Sequence, residues 1–326
     1  MRKNIVRLTL GVLLLALSFP AAAQQPAGIP RIGILAPLSV SSFSGRLEAF
    51  RQRLRQLGYV EGKNIVIEYR YAEGKPERLP DLAAELVRLK VDVIVTAGPG
   101  SLAAKKASAT IPIVFGAATD PVGAGLVSSL ARPGGNITGL SNIAQDLGGK
   151  RLELLKEAFP KVARVAFLRQ PGSTRGDQAL TKMEAVAKAL RLKLLSLEVR
   201  SHDDFDSAFA RAKKERAQAL ITSTGILINT QQHQVVDFAA KNRLPAMYAN
   251  SEWVEAGGLM SYAPNYTDLF RRAADFVDKI LKGSKPADLP VQQATKFEFL
   301  VNMNAAKEIG VTIPPNVLAR ADKVIK

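Results

Sequence analysis

The chain has 326 residues, 47% of them hydrophobic, with 45 Lys and Arg against 29 Asp and Glu, a formal net charge of +16 and no cysteine. The lack of cysteine excludes disulfides, thiolate metal sites, a cysteine nucleophile and a lipid-modified cysteine anchor. The length suits two domains of roughly 100–150 residues, and because no basic run is interleaved with aromatics, the charge reads as a solvated cationic surface with a bias toward anionic ligands rather than as a nucleic-acid interface.

Arg2, Lys3 and Arg7 precede an apolar run over 8–19 and then Pro20-Ala21-Ala22-Ala23. A basic start, a short apolar stretch and small residues describe a secretory signal over 1–23, cut before Gln24. The run is shorter than the about 20 apolar residues a bilayer span needs. An exported chain without a lipid anchor is retained where an outer membrane encloses it, so the expected compartment is a periplasm.

Residues 31–36 (RIGILA) form a continuous apolar run, the pattern of a strand buried on both faces of a parallel sheet. It ends in Ala36-Pro37 and a loop rich in serine, with Ser39 and Ser42 as ligand candidates. From Phe43, apolar Leu47, Phe50, Leu54 and Leu57 keep helical spacing until Gly58. Arg46, Arg51, Arg53 and Arg55 read as the polar face of that helix. Ile65, Ile67 and Tyr69 alternate with polar residues, as in a strand near a sheet edge. A helix over 76–90 and a strand over 91–96 lead to Gly98-Pro99-Gly100-Ser101, which opens an alanine-rich helix. Neither GxxxxGK[ST] nor GxGxxG is present, so this loop reads as a ligand-facing helix start whose free N–H groups suit an anion or carboxylate. Gly98, Pro99 and Ser101 are its candidates.

The stretch 119–142 (TDPVGAGLVSSLARPGGNITGLSN) organises the rest. It follows a strand at 111–115. Asp120-Pro121 reads as a helix N-cap with proline at the first helical position, Pro133-Gly134-Gly135-Asn136 as a turn, and 137–141 as extended. One α/β lobe ends here and a second begins. Thr119, at the strand end, is a ligand candidate, whereas the Asp120 carboxylate is better placed to cap. Ser141 and Asn142 stand at the passage between lobes.

In the second lobe a helix over 146–159 and a strand over 162–168 precede the loop containing Gln170, Ser173 and Thr174. A helix, a strand over 194–199, a helix over 203–214 and a strand over 219–222 follow, ending in Ser223-Thr224-Gly225-Ile226. After a helix over 231–241 and a strand over 244–248 come Tyr248, Asn250 and Trp253, the last able to wall a cleft or pack in the core. Gly257-Gly258 breaks the pattern. A returning strand over 259–262, a long amphipathic helix ended by Gly283, a linker with Pro286 and Pro290, a strand over 297–301 and a terminal helix from Pro315 complete the chain.

The fold class is therefore α/β: two doubly wound parallel-sheet lobes. Right-handed crossovers gather all strand C-termini on one edge of each sheet, and two such edges facing each other make a ligand cleft. Every candidate above lies on such a strand-end loop. Catalysis finds little support, since His202 and His233 stand apart from any nucleophile and neither GxSxG nor HExxH occurs. No metal site and no cofactor are expected.

TDPVGAGLV followed by ARPGGNITGLS resembles the ABC-transporter substrate-binding family that includes tryptophan- and phenylalanine-binding members. The likeness extends to RIGILAPL, LGYVEGKNIVIEYRYAEG, EAGGLMSYAPNY and NMNAAKEIGVTIPPNVLARAD, nearly the whole mature chain. It implies a type I-like periplasmic binding fold whose chain passes between lobes near Ser141, near Gly257 and in the 286–296 linker. The implied division is 30–142 plus 257–285 for the N-terminal lobe, 143–256 for the C-terminal lobe, and 286–326 as a crossover segment with a terminal helix. The implied function is capture of a small molecule by hinge closure and delivery to an ABC permease in the inner membrane, by a monomer without a nucleic-acid partner. A sensor subunit for a membrane receptor is the alternative, and a periplasmic enzyme a more distant one. In the amino-acid-binding relatives acidic residues stand where this chain has Asn142 and Gly225. An α-ammonium group buried without such a partner costs several kcal/mol. The expected ligand is thus neutral or anionic, a carboxylate or small aromatic acid, and not an aromatic α-amino acid, with Glu252 the one nearby carboxylate that could serve an ammonium group.

Overall fold

The structure, a computed structural model, describes residues 28–172 and 174–326, with backbone alone at 174 and 175. The expected signal segment and the ligand contacts expected of Ser173 and of the Thr174 side chain lie outside the described residues. Two sheets form the frame. The first sheet has the order β11-β5-β4-β3-β1-β2 and is parallel throughout. Its strands are β1 (Arg31–Ala36), β2 (Val66–Tyr71), β3 (Val93–Ala97), β4 (Ile113–Ala118), β5 (Ile137–Ser141) and, from late in the chain, β11 (Gln292–Gln293). The second contains β6 (Arg164–Arg169), β7 (Lys193–Glu198), β8 (Ala219–Thr222), β9 (Ala246–Tyr248), β10 (Met260–Pro264), β12 (Phe297–Asn302) and β13 (Lys323–Ile325). Its order is β13-β12-β10-β9-β8-β6-β7, with β12 antiparallel to β10 and the other pairs parallel.

The period of each segment sets its place. β1, apolar from Ile32 on, lies inside the first sheet, with Ile32 and Ile34 in the core on one face and Leu35 in the core on the other. β2, which alternates, is the sheet's edge strand. On one face pack the helices Val40–Gln56 and Tyr266–Leu281, joined through Phe43 and Phe270, whose rings meet edge to face at 5.0 Å. Helices Leu79–Arg88 and Pro99–Ala107 cover the other face. The second sheet is likewise cored on both faces. No helix among the described residues is long and apolar enough to cross a membrane.

The chain passes from the first sheet to the second after Ser141, returns between Pro264 and Asn265, and crosses again between Gln293 and Phe297. The second passage corrects the expectation at Gly257. β10 pairs with β9 and β12, so 257–264 belong with the second sheet, and only from Asn265, which caps the next helix by accepting from the N–H of Asp268 at 2.7 Å, does the chain rejoin the first. The reason is that β10, buried along most of its length, pairs with β9 on one side and β12 on the other inside the second sheet. Two further expectations change. The segment after Pro121 is a hydrogen-bonded turn, which Asp120 still closes by accepting from Gly123 N–H at 3.1 Å. The chain ends not on a helix but on β13, after a single turn at Pro315–Leu318.

Candidate functional site

In a doubly wound sheet the loops that diverge at the switch in strand order leave room for a ligand. In the first sheet β1 is flanked by β2 and β3, so the loops after β1 and β3 part there; in the second, β6 is flanked by β7 and β8, so the loops after β6 and β8 part. The two switch points face one another. Between them lies a cavity of about 130 Å³. Pro37, Leu38, Gly98, Pro99 and Thr119 wall it from the first lobe, Thr224, Gly225, Ile226, Asn229 and Asn250 from the second, with Asn142 and Tyr266 at the passages. Gly98 sits at φ +51°, ψ −128°, a turn that favours glycine and delivers the start of helix Pro99–Ala107 to the cavity.

Of the residues expected from sequence, Pro37, Gly98, Pro99, Thr119, Asn142, Thr224, Gly225 and Asn250 line this cavity. Ser39 caps helix Val40–Gln56 by accepting from Ser42 N–H at 3.3 Å, and Ser42 lines an adjoining groove. Gln170 and Ser223 line a smaller cavity behind the Thr224 loop, together with Gln145 and Arg151. Ala36, Ser101 and Ser141 are buried beneath the cavity wall. Tyr248 and Trp253 pack in the second lobe's core, their rings 5.1 Å apart, strand alternation placing Tyr248 on the sheet face that this core covers, and Trp253 also borders the adjoining groove.

The polar side chains of the cavity hold one another. Asn142 donates from Nδ2 to Thr119 Oγ1 at 3.3 Å and accepts from Ala144 N–H at 3.1 Å. Asn250 donates to Asn229 Oδ1 at 2.9 Å and accepts from the Tyr266 hydroxyl at 3.3 Å. Burial pushes that hydroxyl up to about 12, so it remains a donor. Arg151, 2% exposed, directs its guanidinium at three backbone carbonyls: Tyr262 at 2.8 Å, Ala144 at 3.1 Å and Ala249 at 3.4 Å. It thereby ties the first two passages to the second lobe, and burial lowers it to about 10.

Arg46 corrects the reading of a solvated polar face. It lines the cavity, with its guanidinium carbon 4.4 Å from the centre of the Tyr266 ring, and bonds through Nη2 to Glu252 of the opposite lobe. Burial alone would depress the Arg46 pKa and raise that of Glu252; their attraction outweighs this, and the shifts run the other way, leaving both charged. Glu252, expected to be available to an ammonium group, is therefore engaged. Arg46 lies three residues after Phe43 and four before Phe50, on the flank of the apolar stripe, a spacing that could have marked it as inward-facing. Leu38 belongs to the expected loop over 36–42, whereas Asn229 and Tyr266 carry no such signal; Tyr266 lies just beyond the passage expected eight residues earlier.

The family model for ABC transporter substrate binding proteins matches residues 31–325. A tyrosine-binding protein of Clostridioides difficile is 26% identical over 279 residues, covering 85% of this chain and 80% of that one. Among solved structures, a Streptococcus pneumoniae domain in complex with L-Trp is 28% identical with a TM-score of 0.80, covering 91% of this chain and 99% of its own. A ligand-free, open substrate-binding protein with adhesive properties from Clostridium difficile is 26% identical with a TM-score of 0.70, covering 91% of this chain and 100% of its own. With both sheets and all three passages inside one family match, this chain belongs to the ABC transporter substrate-binding proteins.

Proposed function

We propose that this chain is an exported, periplasmic receptor of an ABC importer, which closes its lobes over a small neutral or anionic solute and carries it to the membrane permease without altering it. The observation that carries the ligand class is the ionic character of the cavity. Arg46 is the one charged side chain among the described residues that line it. An ammonium group would meet that cation and no free carboxylate, whereas a neutral or anionic group meets donors from Arg46, Thr119 and Asn250. The relatives that carry tyrosine in their name or L-Trp in their structure support a cleft of aromatic size.

Closure draws support from the three short passages, and from the greater likeness to the L-Trp complex than to the ligand-free, open relative. We divide the chain into a first lobe of 30–142 with 265–293 and a second of 143–264 with 294–326. Export draws support from the leader pattern, and a free rather than lipid-anchored state from the lack of cysteine. The test is a ligand screen by thermal shift on the protein starting at Gln24, followed by small-angle scattering with the hit. At 100 times its Kd a ligand adds about 2.7 kcal/mol, and each kcal/mol moves the midpoint of a 150–250-residue domain by roughly 2–4 °C. A contraction on binding and recovery of unchanged ligand are expected. An unchanged radius refutes closure, and a converted product refutes the carrier reading.

A further inference from the structure

We infer that Arg46 is the specificity-determining residue of the cleft and that it ligates the carboxylate of a small, one-ring aromatic acid. The inference rests on the solute-binding reading and deepens it.

An arginine brings five N–H donors in a rigid fork matched to a carboxylate. Arg46 makes its hydrogen bond to Glu252 with Nη2 alone, while Nε is buried with no hydrogen-bond partner. Its side chain is 12% exposed and sits over Tyr266, with Phe43 5.6 Å from the guanidinium carbon. Nε is closed off from the cavity, so the donors left for an anion there are the Nη1 hydrogens and the second Nη2 hydrogen of a guanidinium that lines it.

The pair with Glu252 serves this role. Glu252 stands on the opposite lobe and, with Glu255, Glu298, Asp322 and Lys323, lines an adjoining groove that shares Arg46 and Tyr266 with the cavity. Fixing one edge of the guanidinium directs its remaining donors, and the arrangement is complete only when the lobes are together. A carboxylate in the cavity then forms a carboxylate–guanidinium–carboxylate set that holds the lobes closed. The volume of about 130 Å³ sets the size. A dry cavity of about 150 Å³ accommodates benzene, so this space takes at most one ring, and the acid arm extends toward the adjoining groove that Arg46 also lines. Pro37, Leu38, Pro76 and Ile226 supply apolar wall for the ring.

The competing explanation is a latch between lobes with no ligand contact. Calorimetric titration of the mature chain with benzoate and phenylacetate, against benzamide and phenylacetamide, separates the two. Wild type is expected to bind at least one acid and to bind its amide at least tenfold more weakly. Arg46→Gln also breaks the pair with Glu252 and weakens both, but it is expected to lose at least tenfold more affinity for the acid than for the amide. Arg46→Lys, which keeps the charge but not the fork, should fall between. A latch alone predicts equal loss for acid and amide in Arg46→Gln, and that result overturns the inference. Should Arg46→Gln fail to fold by circular dichroism, Arg46→Lys decides: affinity for the acid unchanged relative to wild type overturns the inference, and selective loss for the acid supports it. Binding of L-tryptophan with neither acid bound also overturns it, but leaves the solute-binding reading standing. A panel in which nothing binds overturns the inference alone, because the broader reading is judged by the thermal-shift and scattering experiment.

Discussion

The cleft's charge can be reversed with two substitutions, Asn142→Asp and Gly225→Asp, and the structure indicates that the fold will accept both. Asn142 Oδ1 accepts from Ala144 N–H at 3.1 Å, a bond an aspartate oxygen retains, and Thr119 Oγ1, 3.3 Å from Nδ2, can turn from acceptor to donor. Gly225 has φ 172°, extended backbone open to any residue. A Cβ there would come within 2.8 Å of Gln170 Oε1, the free end of a flexible side chain that can swing aside. Each new carboxylate offers an α-ammonium group a charged hydrogen bond worth about 1.5–3 kcal/mol, or roughly 10- to 150-fold in affinity. Arg46 lines the same cavity and opposes part of this, so the double variant is expected to gain at least tenfold for L-tryptophan, L-phenylalanine or L-tyrosine. Isothermal titration of wild type, both single variants and the double variant measures it. A folded double variant that gains less than threefold refutes the electrostatic reasoning. So does wild-type protein that binds any of the three at micromolar concentration or tighter.

Asp268, 8% exposed, pairs with Arg271 of its own helix at 2.8 Å and with Lys296 at the third passage at 3.2 Å. Burial would raise its carboxyl, but these cations hold it below its usual value of 3.8, so its contribution is present above that pH and is lost as pH falls through the depressed value. Asp268→Asn should cost about 1.5–3 kcal/mol at neutral pH in urea unfolding, and a penalty equally large at pH 3 would contradict the pairing. Glu298 is shifted the opposite way: burial first, then Glu252, Glu255 and Asp322, raise it above 4.5. The folded state thus holds that proton more tightly, a contribution present below pH 4.5 and lost as pH rises through the folded value. Glu298→Gln, whose Oε1 can still accept from Asn265 Nδ2 at 3.0 Å, should gain on wild type as pH rises from 4.5 toward 8; a gain greatest at low pH would reverse the assignment. Gly139 has φ +147°, and a Cβ there would lie 2.1 Å from the Phe115 carbonyl oxygen. Gly139→Ala should therefore prevent folding of the first lobe or cost more than about 3 kcal/mol, and a melting point within 3 °C of wild type would show that β4 and β5 can separate at no cost.

Local patterns determined much of this protein. RIGILA and IPIVF are apolar at every position that a central parallel strand buries, the alternation at Ile65, Ile67 and Tyr69 marked the edge strand, and right-handed crossovers then required the strand-end loops to share an edge. Thr119, Asn142, Gly98 and Gly225 were legible for that reason: their place follows from where strands end. Tertiary structure decided whatever depends on partners distant in sequence. Pairing with β9 and with the distant β12 holds 260–264 in the second sheet, and with it moves the second passage. Tyr248 and Trp253 went to the core because the far face of their own sheet needed filling. Arg46 looked like one of several arginines on an exposed helix. Its role depends on Glu252, 206 residues away on the other lobe, and on a ring brought beneath it by the returning helix. A pattern of neighbouring residues records which face of an element is apolar, but the charge that will meet a given side chain across a cleft is fixed only when the two lobes come together.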